Sequence, residues 1–172
     1  MDAAHQRPNG FRFLENLAYL VPGYRGYKQP DLRHEEDSRL RAHVQRRLQQ
    51  MRQQLEEIHE RWSEEPWGSH VEQLEQRRLR LQTIADSVRY SPYGHQGFFS
   101  HDAVDEQVLD RVLEADLLIL EDLDNALEHL VDAGCTVTTA PRTVKSFLRA
   151  VDTGLGRLER HLIMRERILA SA

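Results

Sequence analysis

Apolar side chains recur along this chain at alternating steps of four and three, the spacing that keeps one helical face turned toward a neighbour. Leu40, Val44, Leu48, Met51, Leu55, Ile58 and Trp62 form one such seam, and Val144, Leu148, Val151, Leu155, Leu158 and Leu162 form another. Each predicts a long amphipathic helix with Arg, Gln and Glu on its solvated sides. Between them, Val71, Leu74, Leu81, Ile84, Ala85 and Val88 predict a helix ending near Arg89, with Arg78 interrupting its inward face and Leu79 lying off it. Pro66 and Gly68 mark a short link before that helix, so it pairs with the helix over 31–62 as a long, coiled-coil-like antiparallel hairpin.

The stretch 104–133 is richer than any of these. Its apolar positions cover more than half the helix circumference, which calls for neighbours on several sides. Its seam runs Leu109, Leu113, Asp116, Leu120, Leu123, Leu127, Leu130, and Asp116 stands where an apolar residue belongs. A carboxylate at a seam position has to be paired, hydrogen-bonded or protonated, because burying it bare costs several kcal/mol. Arg78 breaks its own seam, so Asp116 and Arg78 are the expected buried structural pair.

Upstream, residues 1–10 are polar and predict a poorly ordered start. Leu14, Leu17, Ala18 and Val21 share one face of a short helix that should stop before Pro22. Pro22-Gly23 predicts a turn. Pro30-Asp31 opens the first long helix, Gly134 reads as the residue just past the central one with Cys135 in a loop, and Pro141 starts the last. Gly154 and Gly156 weaken the middle of that helix and mark a close contact or a bend. The fold class is therefore all-α: a four-helix bundle over 31–172, preceded by an N-terminal arm over 1–30.

Composition narrows the function classes. A net charge of −5 argues against a nucleic-acid binder. Lys28 and Lys145 stand against 21 arginines, the bias of a GC-rich genome. A lone Cys135 allows no intrachain disulfide and no thiolate-rich zinc site. No window approaches the roughly 18–20 apolar residues of a membrane span, and no signal-peptide core opens the chain. A soluble cytoplasmic protein is the expectation.

Candidate chemistry is sparse. Glu56-x-x-His59 has di-iron spacing, but Leu55, Ile58 and Trp62 own the inward face and no second such pair occurs. His95 and His101, with Asp102, could meet at a divalent ion, although nothing fixes their geometry. No nucleophile motif or phosphate loop is present, so the chain reads as a non-enzyme without cofactor or metal. Six of the twelve aromatics, Tyr24, Tyr27, Tyr90, Tyr93, Phe98 and Phe99, fall in two glycine-containing segments that either seal the bundle ends or serve recognition.

Pro22-Gly23-Tyr24-Arg25-Gly26-Tyr27, Tyr93-Gly94-His95-Gln96-Gly97-Phe98-Phe99 and Leu113-Glu114-Ala115-Asp116-Leu117 together resemble segments of an uncharacterised family of bacterial helical proteins. That resemblance implies a helical architecture and carries no activity. The leading functional expectation is a protein-interaction or scaffold protein that binds another protein or itself. Its partner-binding residues would be Phe11, Leu14, Leu17, Tyr24, Tyr27, Tyr93, Phe98 and Phe99. Two alternatives are a metal- or small-ligand site near Asp116 and the 90–102 loop, and peripheral membrane association through residues 11–27.

Overall fold

The computed structural model describes residues 10–63, 69–91, 96–100, 104–136 and 141–172. Six α-helices are present among them, with no strand: α1 Gly10–Leu20, α2 Arg33–Ser63, α3 Ser69–Tyr90, α4 Gln96–Ser100, α5 Glu106–Thr136 and α6 Pro141–Ala170. A single 3-10 turn, Pro30–Leu32, leads into α2. The protein is an all-α helical bundle. The four long helices fall where the heptad patterns put them, and all seven seam residues of α2 are buried. One boundary differs from the reading above. Gly134 and Cys135 lie within the last turn of α5, which ends at Thr136. A glycine costs only about 1 kcal/mol inside a helix, so it did not stop this one.

The chain gathers into two compact units. The first takes its described residues from Met1–Leu40, Pro92–Leu120 and His161–Ala172, and the second from Arg41–Ser91 and Glu121–Arg160.

In the second unit the α2–α3 hairpin is antiparallel, as its cross-helix contacts show. Gln45 donates to the Ala85 carbonyl at 2.8 Å, Arg52 reaches Gln82 at 3.5 Å, and Arg78 meets Glu56 at 3.4 Å. The partner number falls as the other rises. Helix α6 runs the same way as α3, through Arg77–Asp152 at 2.5 Å and Arg80–Glu159 at 2.6 Å. It runs against α5, where Asp122 faces Arg157 at 3.8 Å and a Cβ built on Gly154 would lie 3.5 Å from that of Ala126. Gly154 thus marks a close helix contact, the first of its two sequence readings. Between these rims lie Leu48, Met51, Leu74, Leu81, Leu123, Leu148 and Leu155, all buried.

In the first unit the chain after α1 turns inward. Gly23 and Gly26 both hold positive φ, at 81° and 76°. At Gly26 any side chain would be strained twice over, since its Cβ would also stand 2.8 Å from Leu14 Cδ1. These two turns place Tyr24 and Tyr27 in the core beside Leu17 and Val21.

Candidate functional site

Two features of the described residues bring chemistry together, and they are of opposite kinds. The first is a closed polar cluster in the first unit. Arg165, on the last turns of α6, points its Nε at Asp116 Oδ1 and its Nη2 at Asp37 Oδ1, each at 2.5 Å. The same Nη2 donates to the Tyr27 hydroxyl at 3.1 Å, and that hydroxyl donates to Asp116 Oδ2 at 2.8 Å. Tyr24 adds a longer bond to the same oxygen, 3.4 Å. Asp37, Asp116 and Tyr27 have no exposed surface.

A second arginine ties the loop down from the other side. Buried Arg33 donates to the backbone carbonyls of Tyr27, at 2.9 Å, and Phe98, at 3.0 Å, and its guanidinium lies 5.5 Å from the centre of the Phe98 ring. Buried Glu36 accepts the Arg25 backbone N–H at 2.8 Å. Edge-on contacts run from Tyr24 to Tyr27 to Phe98 to Phe99, and Phe99 stacks on His34 with ring centres 4.4 Å apart.

Burial shapes the protonation of this cluster. It raises the Asp116 carboxyl above its ordinary value, against Arg165 and the Tyr27 hydroxyl, which both lower it. It also drives the Tyr27 and Tyr24 hydroxyls well above the usual tyrosine range, so both remain hydrogen-bond donors. Burial works against the Arg165 charge, but Asp116, Tyr27 and Asp37 around it more than offset this and hold the guanidinium protonated. Both Asp116 oxygens are engaged by side chains of the protein itself. The arrangement therefore pins a tyrosine loop onto three helices.

Several sequence expectations are corrected here. Asp116 pairs with Arg165 and not with Arg78, whose guanidinium meets Glu56 at 3.4 Å and Glu75 at 3.1 Å. Arg78 is half-buried, so exposed carboxylates reach it easily, whereas Asp116 needs a cation delivered into the core. Of the residues expected to meet a partner, Leu17, Tyr24, Tyr27, Phe98 and Phe99 are buried in their own unit, and Leu14 is half-buried against Gly26. The reason is the cluster itself, which draws the tyrosines inward by their hydroxyls. Phe11 has its backbone in α1 but its side chain outside the described part, and Tyr93, His95, His101 and Asp102 lie outside the described residues. Glu56 faces Arg78, and His59 lies 3.8 Å from Glu75. Among the described residues no three His, Cys, Asp or Glu side chains converge to hold a metal ion.

Asp37 and Arg165 were missed, yet a signal for both exists. Continuing the α6 seam past Leu162 by three and four lands on Arg165 and Leu169, both buried. Continuing the α2 seam back from Leu40 by three and four lands on Asp37 and Arg33, also buried.

The second feature is an open groove of about 560 Å³ between α5 and α6 in the second unit. Its floor is apolar: Met51, Leu130, Phe147, Val151 and Gly154 are all buried. Small residues, Ala126, Ala133 and Ala150, keep its walls low. The polar groups stand on the exposed rim, with His129 and Asp132 on the α5 side and Ser146, Arg149, Thr153 and Arg157 on the α6 side. Thr143 and Arg157 mark its two ends on α6, roughly 21 Å apart at 1.5 Å per residue.

No family model, curated protein or solved structure matches the chain. No described helix is long and apolar enough to cross a membrane.

Proposed function

We propose that this chain is a non-enzymatic interaction protein, and that it holds a partner in the α5–α6 groove of its second unit. The observation that carries the reading is the groove's construction. Ala126, Leu130 and Ala133 on α5, and Thr143, Phe147, Ala150, Gly154 and Arg157 on α6, recur at steps of three and four. Two such faces side by side, with small residues along them, have the form of a bundle seam that lacks its third helix. A helix laid there would place apolar side chains at i, i+3 or i+4, and i+7 over Phe147 and Leu130.

A protein helix suits the groove better than a compact small molecule. Small-ligand sites pair an apolar wall with a few buried polar groups that fix orientation. Here Met51, Leu130, Phe147, Val151 and Gly154 leave the described floor apolar, and hydroxyls and charges stand on the exposed rim. The closed cluster around Asp116 gives independent support, since its polar atoms are spent on one another.

The test uses a fluorescein-labelled synthetic peptide of four helical turns, with leucines at i, i+3, i+4 and i+7 spacing and uncharged flanks. Fluorescence anisotropy should show saturable binding to the full chain. Ala150→Trp, which fills the groove from an exposed position, should abolish it while the circular dichroism spectrum stays unchanged. Absence of binding to the unmodified chain, or equal binding to both proteins, would overturn the proposal.

A further inference from the structure

The rim of the groove says what kind of helix it selects, if the groove is the recognition surface just argued. We infer that the partner helix carries acidic residues along the edge that faces α6.

The inference comes from which rim charges are already satisfied. Arg149 stands exposed on the α6 rim, and among the described residues its guanidinium has no hydrogen bond or ion pair. Arg157, two turns further along the same helix, is held only loosely, 3.8 Å from Asp122, and is about half exposed. On the opposite rim Asp132 has an interaction within the chain. The α6 rim therefore carries two cations, one with no ion pair among the described residues and one loosely paired, on one side of the groove.

Arg149, Thr153 and Arg157 follow one another at steps of four, so they form a straight row beside the apolar floor. A helix seated over Phe147 and Leu130 would run alongside that row. Carboxylates spaced at i and i+7 or i+8 on its flank, about 11–12 Å apart, would meet the two guanidinium groups, which can bind each carboxylate in a forked geometry. Lysines at those positions would face like charge. Rim pairs of this kind tune selectivity and association rate more than total affinity.

The occupant is then a separate protein's amphipathic helix, apolar on one face and acidic on one edge. Three peptides with the same apolar face test this, carrying glutamine, glutamate or lysine at the two flank positions. Anisotropy titrations at low salt should rank glutamate above glutamine above lysine, with roughly a fivefold span from first to last. Added salt should narrow that span, as for any exposed charge pair. Arg149→Glu leaves one cation and one carboxylate in the row, so it should largely abolish the ranking and leave the affinity of the glutamine peptide unchanged.

The outcomes separate the two ideas. Equal binding of all three peptides would overturn the acidic partner and leave the groove reading standing. No binding of any peptide would bring down both. Sedimentation equilibrium of the chain alone supplies the remaining arm. A dimer that Ala150→Trp dissolves would identify the occupant as a second copy of this chain and overturn the separate partner.

Discussion

The two units share one seam pattern and treat charge in opposite ways. In the first, Arg33, Asp37, Asp116 and Arg165 occupy seam positions and are buried, and they meet one another or the backbone of the tyrosine loop. In the second, the seams are filled by Leu48, Met51, Leu55, Leu81, Ile84 and Leu155, and the ion pairs lie at the edges, apart from buried Asp122, which stands off the α5 seam and faces half-exposed Arg157. Arg80 and Glu159, for example, are each about a third exposed. The contrast teaches what a seam charge is for. An apolar seam glues helices together without caring much about the neighbouring loop, whereas a seam charge has a fixed number of partners at fixed distances. It can therefore hold an irregular segment, here residues 21–27, in one geometry.

The largest expected effect follows from that difference. Arg165 is the cation shared by Asp37 and Asp116, and all three are buried. Arg165→Met would leave two carboxylates without a counter-charge and should destabilise the chain by about 3–5 kcal/mol in chemical denaturation at neutral pH. Arg165→Lys keeps the charge but loses the fork that reaches both acids, so it should recover only part of the loss. A loss for Arg165→Met below about 1 kcal/mol, the size of an exposed pair, would erase the distinction between the units.

A smaller effect should appear in the pH dependence of Asp116→Asn. Burial raises the folded carboxyl above the ordinary value of 3.8. The folded chain thus takes up this proton at a higher pH than the unfolded chain. The associated stability is fully present below the unfolded value and is lost as pH rises through the folded one. Asp116→Asn cannot titrate, so the stability of the variant relative to the parent should grow as pH rises from about 3.8. Denaturation midpoints of both proteins between pH 3 and 7 give that difference directly, and a difference that shrinks with rising pH would show that Arg165 dominates over burial.

Much of this molecule was legible in its sequence, and the failures have a common cause. Periodicity located the long helices, because a heptad seam is a local property of one segment. Asp116 was recognisable as buried for the same reason. Its partner was not, because pairing depends on which helix ends converge, and Arg165 lies one step past Leu162, where the run of α6 seam leucines is interrupted. The aromatic segments were ambiguous between sealing and recognition. Burial of Tyr24, Tyr27, Phe98 and Phe99 places them in the core. That outcome hangs on two hydroxyl–carboxylate bonds and one arginine, which no local pattern encodes. The groove was invisible for a different reason. Thr143, Phe147, Ala150 and Gly154 form a second, weaker face on α6, and a seam analysis that follows the strongest stripe passes over it.

The smallest expected effect completes the comparison from the other side. Arg80 binds Glu159 through both Nε, at 3.0 Å, and Nη2, at 2.6 Å, a well-formed fork. Those hydrogen bonds hold the Glu159 carboxyl below its usual range. Geometry alone would suggest a large contribution. Exposure argues otherwise, since water and salt screen a pair that is a third open, and ordering two long side chains costs entropy. Arg80→Ala should therefore cost no more than about 1 kcal/mol. Salt gives the sharper distinction. The Arg80→Ala loss should fade as sodium chloride is raised toward about 1 M, where screening acts within roughly 3 Å. The Arg165→Met loss should persist, because dissolved ions cannot approach Asp37 and Asp116. Parallel fading of both would mean that the first unit opens to solvent and that its charges are not enclosed as the geometry requires.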